Sequence, residues 1–339
     1  MKKRKYKKQA NRPKTFLELL TETPSASQQD KHYWADFIEL KCLVNRDYQF
    51  SQAEFQDVCK ENKDLLPKEK EESETEYISK GDRSEVFAQD CFDLIRSREK
   101  IFSNYYPFKL PESKKILIRK QKITLKHKLY LFFLFCSTLN YTKSYLKALT
   151  DSFEMLGKEV FKNLLPEGAE VHLFGSGNSI EKNKRYSGNV LKKIELLAKD
   201  LFEFSKVDQS NFAPTNVGDE GLDIVGWLPN GPHDNQPHLL TFFGQSACTP
   251  DWVNKQHSSS FDAWSPKINL SVRPVNIILC PYSFRSSSGE WHGAHEIAGS
   301  LMLDRQRLIH HFQDNFKEFK KWPSRNVVEN LIKEVEPIF

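Results

Sequence analysis

The stretch Gly218-Asp219-Glu220-Gly221-Leu222-Asp223-Ile224-Val225-Gly226-Trp227 decides how the chain is read, together with Leu240-Thr241-Phe242-Phe243-Gly244-Gln245-Ser246-Ala247. The two apolar runs, 222–228 and 238–245, have strand composition. Residues 229–237 between them are rich in Pro, Asn, Gly and Asp, a loop composition. Asp223 sits inside the first run, where a carboxylate must be paired, hydrogen-bonded or bound to a metal because desolvating a lone charge is expensive. Gln245 closes the second run after Phe242 and Phe243. If the runs pair as a hairpin, Asp223 and Gln245 point to the same edge of the sheet. A carboxylate and an amide oxygen converging there suit a hard cation such as Mg²⁺, or Mn²⁺.

The flanking pattern predicts an α/β domain. Residues 170–174 read as a strand running into Gly175-Ser176-Gly177, 189–204 as an amphipathic helix, 275–280 as a strand continuous enough to be central, and 303–312 and 325–336 as helices. That order of elements implies a mixed sheet over 166–339. Stepping about 100° per residue along the first helix puts Glu195 about 40° from Leu191, on the border of the apolar arc. Its carboxylate is the third candidate for the sheet-edge site.

Residues 15–165 read as a mostly helical N-terminal domain. Tyr33, Trp34, Phe37, Ile38, Leu40 and Val44 form a helical stripe, and Ser51-Gln52-Ala53-Glu54 is a capping box that opens another helix. A Lys-, Glu- and Ser-rich segment over 61–83 reads as a surface linker. Helices are predicted over 84–98, 124–140 and 142–163, with a short extended piece at 114–118. No chemical cluster stands out in this half.

Composition excludes several classes. With 25 Phe, 11 Tyr and 6 Trp in 339 residues, the chain has ample material for a core. Residues 1–14 carry eight bases and no acid, and the rest of the chain holds 42 bases against 45 acids. The protein is therefore a near-neutral globule with a basic arm, which is expected to be disordered and to touch phosphates in a salt-sensitive way. The six cysteines show no C-x-x-C pair and no zinc-finger spacing, so they read as buried single thiols of a reducing, cytoplasmic setting. The longest apolar run, 129–136, is too short for a membrane span of ~20 residues, and no apolar h-region follows the basic N-terminus.

The constellation Glu195, Asp223 and Gln245 resembles the PD-(D/E)XK, or restriction-endonuclease-like, nuclease superfamily. That superfamily pairs an acid on a helix with a hairpin carrying Asp on one strand and Glu or Gln on the next. The Mrr-like branch uses Gln at the last position. The resemblance covers about residues 170–315. It implies a mixed-sheet nuclease core and an Mg²⁺-dependent endonuclease that hydrolyses phosphodiester bonds, of DNA first of all. Asp223, Gln245 and Glu195 would hold the ion. It further implies a prokaryotic defence or mobile-element setting, with an ATPase as one kind of partner and room for a homo-oligomer. The family's usual lysine, two residues after the Gln, is replaced here by Ala247. Lys255 is the nearest substitute and is expected to stabilise charge on the phosphate. Lys182, Lys184 and Arg185 in the turn after 170–174 are candidates for a phosphate track. The rival reading is a catalytically degenerate nucleic-acid-binding or complex-assembly subunit of the same fold, which Ala247 favours. Gly175-Ser176 would also suit a nucleotidyltransferase turn, but no Asp-x-Asp pair follows over 184–190.

Overall fold

A computed structural model describes residues 13–24, 31–61, 80–112, 115–175, 184–208, 210, 212–213, 215–216, 218–286, 288–291 and 293–336. Residues 1–12 of the basic arm expected over 1–14, most of the expected linker over 61–83, and Lys182 lie outside these residues.

The first half contains helices α1 (Phe16–Leu19), α2 (Lys31–Val44), α3 (Gln52–Glu61), α4 (Lys80–Phe102), α5 (Leu125–Ser137) and α6 (Leu146–Leu164). Strands β1 (Gln49–Ser51), β2 (Phe108–Lys109) and β3 (Ile116–Arg119) form a small antiparallel sheet in the order β1-β3-β2. The sequence had shown only its last strand. The Ser51 hydroxyl accepts from the Glu54 amide at 3.1 Å and the Glu54 carboxylate accepts from the Ser51 amide at 2.6 Å, so the expected capping box opens α3. Helix α5 carries the long apolar run, and residues 129–136 are all buried, which explains why that helix has no polar face there.

The second half contains β4 (Glu170–Leu173), α7 (Val190–Asp200), β5 (Ile224–Leu228), β6 (Leu240–Ser246), α8 (Trp252–Lys255), α9 (Phe261–Trp264), β7 (Val275–Leu279), β8 (Leu301–Leu303), α10 (Arg305–Phe312), α11 (Phe316–Phe319) and α12 (Ser324–Leu331). The five strands form one mixed sheet in the order β4-β5-β6-β7-β8. The first three run antiparallel, and β7 and β8 run parallel to β6. An α/β architecture on a mixed sheet is therefore present. Strand β8 was not foreseen; it occupies the residues just before and at the start of the helix expected over 303–312. Asp304 caps α10 by accepting from the Arg307 amide at 3.1 Å, which is why the helix starts only at Arg305.

Helix α6 covers one face of this sheet. Phe153, Leu156 and Phe161 share a core with Ile224, Ile277 and Leu279. Helix α7 covers the other, where Ile194 and Leu197 pack with Val225 and Phe243. The alternation of Ile224 and Val225 between these two cores is the period of two of a strand buried on both sides. The expected domain boundary at 165/166 accordingly cuts through a continuous core. That core runs from Phe16 through α6 to Leu331, and α6 belongs with the sheet as much as with the helices before it. No described helix is long and apolar enough to cross a membrane.

A buried ion cluster ties the two halves. Arg98 on α4 donates to Asp36 at 2.7 Å and to Glu39 at 2.8 Å, both on α2. Arg305 on α10 reaches the same Asp36 at 2.9 Å, and also donates to the Pro281 carbonyl at 2.7 Å and the Tyr130 hydroxyl at 3.0 Å. Glu39 accepts further from Tyr106 and Tyr130. Two arginines thus face two carboxylates with almost no solvent. Burial pushes the Asp36 carboxyl up, but the two guanidinium charges and Ser137 outweigh it and hold Asp36 below its ordinary value. Arg305 is therefore a structural residue. Removing one member leaves the others buried and uncompensated. Arg305→Met is expected to destabilise the fold by about 3–5 kcal/mol, read as a lower urea midpoint. A loss below ~1 kcal/mol, typical of an exposed pair, would show that the cluster does not join the halves.

Candidate active site

Helix α6 approaches the sheet closely because two glycines make room. A Cβ on Gly157 would fall 2.4 Å from the Ile224 side chain, and one on Gly244 would fall 2.6 Å from the Phe161 ring. Three residues before Gly157, on the same face, Glu154 comes over the end of the sheet and is buried. Asp223 reaches the same place from the residue just before β5. The register Ile224↔Gly244 makes Gln245 its cross-strand neighbour, and the Asp223 amide donates to the Gly244 carbonyl at 2.9 Å. The two side chains therefore share a face.

At Gly175, immediately past β4, a Cβ would lie 2.5 Å from Asp223 Oδ1 and 2.8 Å from Glu154 Oε2. Two carboxylate oxygens from different elements thus converge on one point of backbone. The Gly175 and Phe174 amides hold that point by donating to the Asp223 carbonyl at 3.0 and 2.7 Å. The other carboxylate oxygen, Oδ2, accepts from the Ser246 amide at 2.7 Å and from Gln245 Nε2 at 2.9 Å. Gln245 Oε1 is buried without a hydrogen-bond partner.

The electrostatics follow from that crowding. Burial pushes the Asp223 carboxyl well above its ordinary value, the charges of Glu154 and Asp219 push it further, and the Ser246 amide opposes them. Lys193, on the inner face of α7, brings an ammonium to the same neighbourhood. Its Nζ donates to the Gly218 carbonyl at 3.0 Å and lies 3.5 Å from the Phe174 carbonyl. Burial pushes Lys193 down, while Asp219 and Glu154 pull it back up. Glu154, Asp219, Asp223, Gln245 and Lys193 therefore form one electrostatic unit. Two carboxylates and an orphaned amide oxygen suit a divalent cation. No cluster of three or more His, Cys, Asp or Glu residues with metal-binding geometry occurs among the described residues.

The structure brings Asp223 and Gln245 together and sets Glu195 apart from them. Glu195 is exposed, because Lys193 and Ile194 turn inward on α7 and Glu195 turns out. Glu154 stands where Glu195 was expected. Its signal was present in the sequence, in line with Gly157 and Phe161 on one helical face, but the helix had been read as part of a separate domain. Lys255 ends α8, and its charge bears on Cys280. Ala247, buried in an apolar cluster with Ile278 and Cys280, supplies no charge. Arg185 is exposed and its guanidinium grips Asp200 with two bonds of 2.6 and 2.5 Å, and Tyr186 donates to the same carboxylate at 2.7 Å. Lys184 is exposed.

Comparison with protein-family models, with curated proteins and with solved structures finds no match for this chain.

A carboxyl whose folded-state pKa is raised costs stability once the pH climbs past its unfolded pKa. The cost grows until the folded group ionises. Asp223→Asn keeps the acceptor for the Ser246 amide and removes the charge. It is expected to be more stable than wild type at pH 8, by on the order of 1 kcal/mol for each pKa unit relieved. The gap should close as the pH approaches about 4, the ordinary aspartate value. Thermal unfolding across pH measures this, and a variant less stable than wild type at pH 8 would contradict the crowding described here.

Proposed function

We propose that the chain is a divalent-metal-dependent nuclease that hydrolyses phosphodiester bonds, with DNA the first substrate to test. The observation that carries the reading is the meeting of Asp223 Oδ1 and Glu154 Oε2 at Gly175, beside the buried, unpartnered Oε1 of Gln245. Both carboxylates and the amide oxygen would hold the ion. A divalent cation there would polarise a phosphate oxygen and lower the pKa of a nucleophilic water.

The protein's own groups have separable tasks. The Ser246 amide fixes Asp223 Oδ2 and leaves Oδ1 turned toward Glu154. The Phe174 and Gly175 amides anchor the Asp223 backbone, so the carboxylate is held at a defined height above the sheet. Lys193 places a fixed positive charge beside Glu154 and Asp219 and would stabilise negative charge developing on the phosphate. On this reading Lys193, rather than Lys255, carries the charge-stabilising task. The rival reading, a binding subunit without catalysis, draws on the uncharged Ala247.

Purified protein incubated with plasmid, single-stranded DNA and RNA is expected to cleave at least one of them in Mg²⁺ or Mn²⁺ and none in EDTA. Asp223→Asn and Glu154→Gln should abolish cleavage, and Glu195→Gln should leave it intact. Metal binding by wild type without cleavage of any substrate would favour the binding-subunit reading. Cleavage that survives Asp223→Asn would overturn the site itself.

The two lysines are distinguished by rate. Lys193→Met is expected to cut the single-turnover rate on the order of 10²–10³, with partial rescue in Lys193→Arg and little change in substrate affinity. Lys255→Ala should retain most of the rate. The reverse pattern would return the charge-stabilising task to Lys255.

A further inference from the structure

The turn that ends α7 carries an aromatic side chain where a helix usually places glycine. The Phe202 amide donates to the Lys199 carbonyl at 3.1 Å and the Glu203 amide to the Ala198 carbonyl at 2.8 Å, the paired bonds of a Schellman cap. Phe202 is therefore left-handed, with φ 55°, a conformation that a bulky side chain rarely adopts. Two residues on, Phe204 is 76% exposed, more than any other large apolar side chain among the described residues, and Phe202 is 37% exposed. The backbone beneath the two rings is fixed. The Phe204 carbonyl accepts from the Asn269 amide at 2.8 Å, Ser205 bridges Ile268, and the Lys206 amide donates to the Lys267 carbonyl at 2.8 Å.

Folding gains little from a ring held out in water, and strained residues in a rigid frame concentrate at functional sites. The surroundings select the ligand. Lys199, Lys206 and Arg273 are exposed around this ledge, and the Lys206 ammonium donates to a neutral group, the Ser265 carbonyl, at 3.1 Å. The Ser271 amide donates to the Glu203 carboxylate at 2.9 Å, which brings Arg273 to the same place; its guanidinium lies 4.5 Å from the centre of the Phe261 ring. The carboxylates close by are engaged: Asp200 by Arg185, Glu203 by Ser271, Asp208 by the Ser210 amide, and Glu220 by Lys267 at 3.8 Å. The ledge is also joined to the candidate site. Glu220, which Lys267 meets, lies three residues before Asp223, and the Trp264 ring packs edge-on against Phe174, next to Gly175, at 5.5 Å.

We propose that Phe204, with Phe202 and Arg273, is a stacking platform for the bases of a single-stranded nucleic acid, so that an unpaired strand rather than a duplex is the substrate class of the site. The inference rests on the nuclease reading for its choice of nucleic acid as the ligand. Aromatic rings and guanidinium planes stack on the face of any base, without regard to sequence. Bases inside a duplex are already stacked on their neighbours and do not reach a side chain standing on the surface. Lys199 and Lys206 would follow the phosphates and make the binding salt-dependent. The strand would continue past Lys267 toward Asp223.

The test measures fluorescence anisotropy of labelled oligo(dT), oligo(U) and a duplex with the full chain in EDTA, where metal-dependent cleavage does not intervene. Wild type is expected to bind at least one single strand more tightly than the duplex, and the stronger of the two assigns DNA or RNA. Phe204→Ala should weaken that binding roughly tenfold and leave duplex affinity unchanged. Phe204→Trp should retain it, and Leu146→Ala, which removes an exposed apolar side chain elsewhere, should not alter it. Arg273→Ala should weaken the same binding and flatten its salt dependence, which decides the matter if Phe204→Ala fails to fold. Preference for the duplex in wild type, unchanged single-strand affinity in Phe204→Ala, or an equal loss on duplex and single strand would overturn the platform. So would a wild-type dimer that Phe204→Ala dissociates while single-strand affinity holds, which would assign the ring to a contact between copies. Cleavage that requires Asp223 and ignores Phe204 would remove the platform and keep the nuclease reading. Single-strand binding that requires Phe204, with no cleavage of any substrate in Mg²⁺ or Mn²⁺, would do the reverse.

Discussion

Everything at the candidate site depends on how closely α6 lies against β5 and β6. A helix normally stands off a sheet by the length of its side chains. Here Gly157 on the helix and Gly244 on the strand give up theirs, and Ile224 and Phe161 fill the vacated space. The approach brings the helix's acid down to the level of the strand's acid. Glu154 and Asp223 then meet over Gly175, a third position without a side chain. Interiors pack at near-crystalline density, so a methyl group at any of these points would have to displace a neighbour. The like charges that result are costly to hold together. The raised Asp223 carboxyl is the burden of this packing, and groups perturbed in this way cluster at functional sites.

The second constraint is the Arg98–Asp36–Arg305–Glu39 cluster. It joins α2 and α4 of the first half to α10 and the turn after β7 in the second. Hydrophobic burial is not directional, but four charged groups with shared hydrogen bonds accept few alternative arrangements. The cluster therefore sets how the helical layer seats on the sheet. By doing so it contributes to the position of α5, whose Tyr130 and Ser137 are part of the network.

Under the proposed function, Lys193 would supply from another element the charge that Ala247 lacks. The strand position two residues after Gln245 is an alanine packed among apolar side chains. An ammonium instead descends from α7 on the other side of the sheet end, fastened by the Gly218 carbonyl. Long lysine side chains make this exchange easy, because the stem packs against apolar surface while the head reaches polar groups. Arg185 illustrates the opposite case. It is basic and adjacent in sequence to the site, yet its fork is already occupied by Asp200.

Sequence alone determined the strands that start just after Asp223 and contain Gln245, and the hairpin that puts the two residues side by side. Local alternation and a loop of fixed composition specify those features within a few dozen residues. It also determined the capping box at Ser51 and the mixed α/β class. What it left undecided was every contact between elements distant in the chain. Glu154 and Asp223 are separated by a strand, a helix and long loops, and nothing in a 3.6-residue period states which sheet a helix face will meet. For the same reason a helical wheel leaves Glu195 on the border of the apolar arc, whereas packing against Val225 and Phe243 sets α7 so that Lys193 is buried and Glu195 faces water. The expected boundary at 165 lies inside one core for the same reason: a change in secondary-structure pattern marks where elements change type, while only burial of α6 between two sets of partners decides to which core it belongs.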